Sequence, residues 1–222
     1  MRRVLLYVPF YHDILVARES WLKQKAPDTW VDIFIMRFDP LPDAGAYPNL
    51  AIKNELARRI CITGDYDYIF IVEDDIVLPD NALELLLEVK AQVVTGLHRG
   101  RPETWGISGL CVRIADPDGP QDADDRPLEV KDIKNWGDVI EVTGSSQACL
   151  LISKKMLHVF DGIMGKDYEI YKRLSMFHIP LLCHTGVLCG HVDETGEIIG
   201  VKTHGNLPSY RSFDCSPESS VS

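Results

Sequence analysis

Strand-like and helix-like patterns alternate along the first half of the chain, and this order limits the possible folds more than any other feature. Apolar runs typical of buried strands cover Val4 to Val8, Val31 to Met36 and residues 67–72. Helical spacing of apolar residues falls between them, at about residues 13–26 and 49–60. Strands connected through helices run parallel, with helices on both faces of the sheet. The pattern predicts an α/β/α sandwich around a mostly parallel central sheet.

The second half of the chain is less regular. Residues 97–138 are rich in Gly, Pro and Asp, which predicts loops lying over the ligand-binding edge of the sheet. The remaining elements are predicted as strands at Val139 to Val142 and Ala148 to Ile152, a helix from Asp167 to His178, and strands near 180–183 and 187–191. A chain of 222 residues is long enough for one well-packed domain, which we place at residues 1–215, before a disordered tail at 216–222.

Three consecutive carboxylates, Glu73, Asp74 and Asp75, follow directly after the buried strand that ends at Val72. In an extended segment side chains alternate, so Glu73 and Asp75 are expected to point one way and Asp74 the other. Adjacent carboxylates repel each other unless a cation or a proton lies between them, and a hard divalent ion suits oxygen ligands. The alternative is a solvated loop whose negative charges stabilise the N-terminus of the next helix. The apolar residues on both sides favour a metal site.

The charge balance limits the partners of the chain. Asp and Glu outnumber Lys and Arg by 33 to 23, which gives a net charge of −10 and argues against binding to nucleic acid. No run approaches the roughly 20 apolar residues that cross a bilayer, and the apolar N-terminal run is interpreted as a strand rather than a signal peptide. Six cysteines without a CxxC pair predict free, reduced thiols. These features predict a cytoplasmic protein without a transmembrane segment.

Several segments occur in the order typical of one enzyme family. In chain order they are the first strand closing at Val8-Pro9, Ile52 to Arg58, Asp67 to Asp75, Val94 to Leu97, Thr143 to Ile152, Gly165 to Arg173, and Cys189 to Val192. Together they resemble the nucleotide-sugar-dependent glycosyltransferases of the GT-A type, close to the family-2-like group. The resemblance covers about residues 3–192. It implies a GT-A fold, with a nucleotide-binding half at about 1–97 and a smaller, antiparallel acceptor-side half at about 98–200.

The resemblance also implies ligands and residue roles. The donor would be a nucleotide sugar held with Mn²⁺ or Mg²⁺, and the acceptor would be an unidentified glycan, lipid or small molecule. Asp75, His191 and Glu73 are the candidate metal ligands, and Asp167 is the candidate general base. The candidate donor-binding residues are Pro9, Tyr11, Asn54, Arg58, Glu73, Asp74 and Asp75. The candidate acceptor-side residues are Trp105, Trp136, Gly144 and Ser145.

Structural alternatives exist for several of these residues. Asp167 could cap the helix that follows it, and Lys166 stands beside it where an acid is usual, which would lower the pKa of Asp167. His191 could be structural, and Asn54 and Arg58 could be surface positions on one helix face. Trp136, like Trp105, could pack against the core rather than stack on a sugar. The segment from His98 to Arg101 could contact phosphates or form a solvated turn.

Other functional classes also remain open. A binding protein with the same fold could hold a nucleotide or a glycan without turnover, and Lys166 favours that interpretation. A sugar nucleotidyltransferase needs a glycine-rich phosphate loop after its first strand, but residues 9–13 contain no glycine. A metal-dependent hydrolase would need a further cluster of acids or lysines from another strand.

Overall fold

The structure is a computed structural model. It describes residues 1–37, 50–99, 110–115, 125–160, 167–193 and 195–200, with the backbone alone at residues 50–51 and 167–169. The predictions for Trp105, Lys166 and the tail at 216–222 lie outside these residues.

The elements follow one another in a mixed α/β order. They are β1 (Arg2–Phe10), α1 (Leu15–Leu22), β2 (Thr29–Arg37), α2 (Leu50–Thr63), β3 (Tyr68–Val72), β4 (Ile76–Val77), α3 (Ala82–Glu88), β5 (Val93–Leu97), β6 (Val112–Ala115), β7 (Asp125–Pro127), a 3₁₀ turn (Val130–Asp132), β8 (Val139–Val142), β9 (Gly144–Ser145), β10 (Cys149–Ser153), α4 (Lys154–Leu157), α5 (Asp167–Met176), β11 (Leu181–Leu188), β12 (Gly190–Val192) and β13 (Ile198–Ile199).

The central sheet has seven strands in the order β2-β1-β3-β10-β5-β11-β8. Strands β1, β2 and β3 run parallel, and β5 and β11 run in the same direction. Strand β10 is inserted antiparallel between β3 and β5, and β8 is antiparallel to β11 at the edge. Five of the seven strands therefore share one direction, which confirms the predicted mostly parallel sheet.

Helices cover both faces of this sheet, as the sequence pattern predicts. Because side chains alternate along a strand, the neighbours Leu6 and Tyr7 of β1 belong to two different hydrophobic clusters. Tyr7 packs in the cluster that includes Cys61 of α2, and Leu6 packs in the cluster that includes Trp21 of α1 and Leu83 of α3. All five are fully buried. Within the described part of the chain, no helix is both long and apolar enough to cross a membrane.

Two three-stranded antiparallel sheets lie beside the central sheet. One has the order β13-β12-β4 and the other β7-β6-β9. They account for the smaller antiparallel part that the fold prediction contains. The sheet with β4 and β12 matters most for function, because β4 directly follows the three acids and β12 carries His191.

Some predicted boundaries are wrong. The helix expected at 13–26 is limited to Leu15–Leu22, and the strands expected near 180–183 and 187–191 are one continuous strand, β11, followed by β12. The polar residues in the middle of β11 stay in the strand because tertiary contacts hold them. The Thr185 N–H donates to the Asp138 carbonyl at 2.9 Å, and the strand shifts its register against β5 between Cys183 and Leu188.

Candidate metal and donor site

The three acids form a tight turn rather than an extended segment. The Glu73 N–H donates to the Ala148 carbonyl oxygen at 3.2 Å, and the Ile76 N–H donates back to the Glu73 carbonyl oxygen at the same distance. The expected alternation of side chains along an extended strand is therefore wrong here, since the backbone reverses within the cluster. Asp74 and Asp75 nevertheless contact different partners. We call Glu73, Asp74 and Asp75 the acid turn.

Asp75 and His191 are brought together by the ladder between β4 and β12. His191 lies opposite Ile76 in this ladder, and the Val192 N–H donates to the Asp75 carbonyl oxygen at 2.8 Å. The Asp75 Oδ2 atom lies 3.1 Å from the His191 Nε2 atom, and both side chains are almost buried. Two residues that are 116 positions apart in the sequence thus meet as the resemblance implies.

The second nitrogen of His191 fixes its tautomer. His191 Nδ1 lies 2.9 Å from the Arg99 carbonyl oxygen, which can only accept, so Nδ1 carries a hydrogen and donates it. Nε2 then faces the carboxylate of Asp75, which also accepts. This contact is attractive only if a proton, carried by either group, lies between Nε2 and Oδ2, or if a cation lies against both groups. A histidine oriented through a backbone carbonyl is typical of metal ligands, so this pair fits a divalent ion.

Asp75 and His191 are two candidate ligands and do not form a complete set. No group of three His, Cys, Asp or Glu side chains suited to a metal ion occurs among the described residues. Glu73 belongs to the same turn, but it is not gathered with Asp75 and His191 into such a group, and its role as a ligand stays a prediction. An ion held here would take further ligands from a bound diphosphate or from water, as Mg²⁺ commonly does.

His98 is buried beside this pair, a position that sequence reasoning missed. Its ring centroid lies 6.1 Å from that of His191 with an edge-on orientation, and its Nε2 lies 2.9 Å from the Ser146 hydroxyl oxygen. Burial, and then the charge of His191, lower the pKa of His98 to about 3. His98 is therefore neutral and not part of a solvated basic turn. Only its place after β5 could have suggested this position.

Asp74 binds the loop that follows β1. Its Oδ2 atom accepts the backbone N–H groups of both Tyr11 and His12, and its side chain is only 6% exposed. Burial raises the pKa of Asp74, while the two N–H groups act in the opposite direction. The His12 Nδ1 atom lies 3.7 Å from the same oxygen. Asp74 is thus bound to the protein itself, at the place where the resemblance implies donor contacts.

Asn54 and Arg58 of α2 are buried, with 1% and 7% exposure, so their interpretation as surface positions is wrong. The Asn54 Nδ2 atom donates to Gln147 Oε1 at 3.1 Å. The guanidinium of Arg58 donates to both oxygens of Glu55 and, at 3.0 Å, to the Leu157 carbonyl oxygen. These hydrogen bonds lower the pKa of Glu55 to about 2. The contacts of Arg58 join α2 to α4 and favour a structural role.

Two of the candidate acceptor-side residues, Gly144 and Ser145, form β9. Ser145 Oγ lies 2.9 Å from Thr95 Oγ1, which connects β9 to β5. A Cβ added to Gly144 would lie 3.6 Å from the Tyr171 ring, so α5 packs closely against this glycine. The helix α5 begins at Asp167, the candidate base.

Two further candidates have mainly packing contacts. Trp136 is half-buried and packs against the hydrophobic cluster on the α2 side of the sheet, which favours the core interpretation over sugar stacking. Pro9 is buried in β1, where it pairs with Met36.

Comparisons with known proteins support the fold. No family model matches the chain, and no curated protein matches it. Among solved structures, A197 from STIV is similar over 96% of this chain and 100% of its own, with 15% identity and a TM-score of 0.56. GalNAc-T7, solved with UDP, GalNAc and Mn²⁺, is similar over 86% of this chain and 43% of its own, with 12% identity and a TM-score of 0.55. The chain therefore has a GT-A-like fold.

Proposed function

We propose that this protein is a divalent-metal-dependent glycosyltransferase that moves a sugar from a nucleoside-diphosphate donor to a hydroxyl group of an acceptor. The observation that carries the proposal is the pair of Asp75 and His191, with His191 Nδ1 bound to the Arg99 carbonyl so that Nε2 faces the carboxylate. Asp75 follows β3 at the carboxyl end of a parallel strand, where α/β sheets bind their ligands, and β12 brings His191 to it. The GT-A-like fold supports the same function.

The residues of the site have distinct tasks in this proposal. Asp75 and His191 would hold Mn²⁺ or Mg²⁺, which neutralises the charge that grows on the diphosphate as the glycosidic bond breaks. Glu73 and Tyr11 would contact the donor on the side of the acid turn. The neutral ring of His98 would shield the pair from water without adding positive charge.

Asp167 is our candidate for the general base. Its carboxylate would take the proton from the acceptor hydroxyl while the acceptor oxygen forms the new glycosidic bond and the diphosphate leaves. The contact between Gly144 and Tyr171, one turn after Asp167 in α5, supports this role.

One alternative is weakened by the contacts of the loop after β1. A sugar nucleotidyltransferase would use backbone N–H groups there to hold phosphates. The N–H groups of Tyr11 and His12 instead bind Asp74. A binding protein without turnover remains the second candidate, and it is separated by experiment.

A panel of UDP-sugars and GDP-sugars tests the proposal. We expect one donor to raise the melting temperature in the presence of Mn²⁺, since a ligand that binds only the folded state stabilises it. We also expect slow release of the nucleoside diphosphate, with EDTA abolishing it. Binding without release at any Mn²⁺ concentration would identify a binding protein. Failure of the whole panel to bind would contradict the proposal.

A further inference from the structure

The two aspartates of the acid turn have separate partners. Asp75 faces His191, whereas Asp74 accepts the N–H groups of two consecutive residues, Tyr11 and His12, with a single oxygen atom. Successive backbone N–H groups that converge on one oxygen are a common way for a loop to bind an anionic ligand. Here the anion is a side chain of the protein. These two donors are therefore not available to the phosphates of a ligand.

Backbone hydrogen bonds on both sides hold the acid turn in place. The Glu73 N–H is bound to the Ala148 carbonyl of the segment before β10, and β4 continues the turn into the ladder with β12. Asp74 and Asp75 are consecutive, so one peptide unit connects the loop contact with the pair of Asp75 and His191. Any shift of the turn would move both contacts together.

We propose that Asp74 is a positioning residue, which fixes the loop after β1 relative to the Asp75 and His191 pair and leaves that loop to contact the uncharged nucleoside part of the donor. The proposal rests on the function proposed above. In this arrangement the negatively charged diphosphate lies on the Asp75 and His191 side of the turn. Asp74 itself does not touch the donor.

The contact is strong enough to order the loop. Hydrogen bonds between backbone N–H groups and a carboxylate are about twice as strong as those between neutral groups. The Asp74 side chain is 94% buried, so water competes little for them. Removing the carboxylate would leave two N–H groups unsatisfied, and the loop would open to hydrate them.

Amide hydrogen exchange in the ligand-free protein tests the positioning role. In Asp74→Ala we expect exchange at the Tyr11 and His12 amides to accelerate about tenfold or more, because local opening controls exchange. Asp74→Asn keeps an acceptor oxygen and should restore much of the protection. The matched control is Asp13→Asn, which removes an exposed ion pair with Arg18 from the same loop and should leave both amides protected. Unchanged exchange in Asp74→Ala would overturn the proposal.

Ligand binding tests whether the loop after β1 contacts the nucleoside while the Asp75 and His191 side of the turn binds the diphosphate. With Mn²⁺ present, Asp74→Ala should weaken UDP and GDP by about tenfold or more, while the affinity for inorganic pyrophosphate stays within about twofold. An equal loss for pyrophosphate would overturn the assignment of the loop to the nucleoside. If the wild-type protein binds neither nucleotide, that assignment fails together with the proposed function, whereas amide exchange still decides whether Asp74 fixes the loop. Circular dichroism checks that each variant is folded, and Asp74→Asn carries the test if Asp74→Ala is not.

Discussion

The first half of the molecule, residues 1–97, and the second half, residues 98–200, contribute to the candidate site in different ways. In the first half, the acid turn follows β3 directly, and its partner loop follows β1, which is the neighbouring parallel strand. In the second half, His191, Ser145 and Gly144 lie on short strands of the small antiparallel sheets. The first half thus places its groups through the regular α/β order, and the second half through irregular pairings.

The two halves contact each other along several strands, and two of these contacts lie at the candidate site. The pair of Asp75 and His191 joins them through the ladder between β4 and β12, and the hydroxyl pair of Thr95 and Ser145 joins them through β5 and β9. Metal binding should therefore depend on both halves, and stability should depend on the close packing between them.

The largest effect is expected from the metal pair. Asp75→Asn and His191→Gln should each lower Mn²⁺-dependent donor turnover by about a thousandfold, because each removes a ligand of the ion that stabilises the leaving diphosphate. If the two side chains act as one unit, the double variant should lose little more than either single variant. Steady-state kinetics of all three variants measure this. Additive losses would show that the halves contribute independently.

A smaller effect is expected from the candidate base of the acceptor-side half. Asp167→Asn should lower kcat by roughly a hundredfold, since it removes proton transfer from the acceptor hydroxyl. The affinity for the donor should be retained, because this residue belongs to the acceptor side. Measuring kcat and the donor Kd separately distinguishes the two. An unchanged kcat would leave Asp167 as a helix cap only.

The packing between the halves can be tested at Gly96 of β5. A Cβ at this position would lie 2.7 Å from Val187 Cγ1 and 3.0 Å from Cys149 Sγ, which belong to the two neighbouring strands. Gly96→Ala should therefore lower the free energy of unfolding by about 1–3 kcal/mol, measured by urea titration. Gly200→Ala is the control, because its Cβ would meet nothing within 4 Å. Equal effects of the two substitutions would contradict tight packing here.

The smallest effect concerns Glu55, which pairs with Arg58 three residues further along the same helix, α2. The hydrogen bonds from Arg58 lower the pKa of Glu55 from 4.5 to about 2 in the folded state. The unfolded state therefore binds the proton more readily. The stabilisation that Glu55 provides is fully present above about pH 5 and is lost as the pH falls from 4.5 towards 2. Glu55→Gln should cost about 1 kcal/mol at pH 7, because solvent partly screens this pair, and progressively less at lower pH.

Urea titrations at several pH values measure this dependence. The control is Asp13→Asn, since the exposed pair of Asp13 and Arg18 should contribute no more than about 0.5 kcal/mol at any pH. A difference between the wild type and Glu55→Gln that stays constant from pH 7 to pH 3 would show that Glu55 acts through packing rather than charge.

Much of the fold could be predicted because the signals are local. The continuous apolar run of β1 and the helical spacing in α1 and α2 predict helices on both faces of a sheet, and both clusters of the core confirm this. The antiparallel insertion of β10 is different. Its apolar residues are buried on both sides by β3 and β5, and such a run carries no signal for strand direction.

The same distinction between local signals and tertiary contacts applies to the candidate site. The sequence by itself determined that three acids end a buried strand, because the composition of five or six neighbouring residues suffices for that conclusion. Only the tertiary structure decided that the acids form a turn, that Asp74 binds a loop 63 residues away, and that His191 turns Nε2 towards Asp75. The burial of Asn54 and Arg58 was decided in the same manner. The physical reason is that a hydrogen-bond partner is chosen by proximity in space, and strand pairing brings together residues whose separation along the chain carries no pattern.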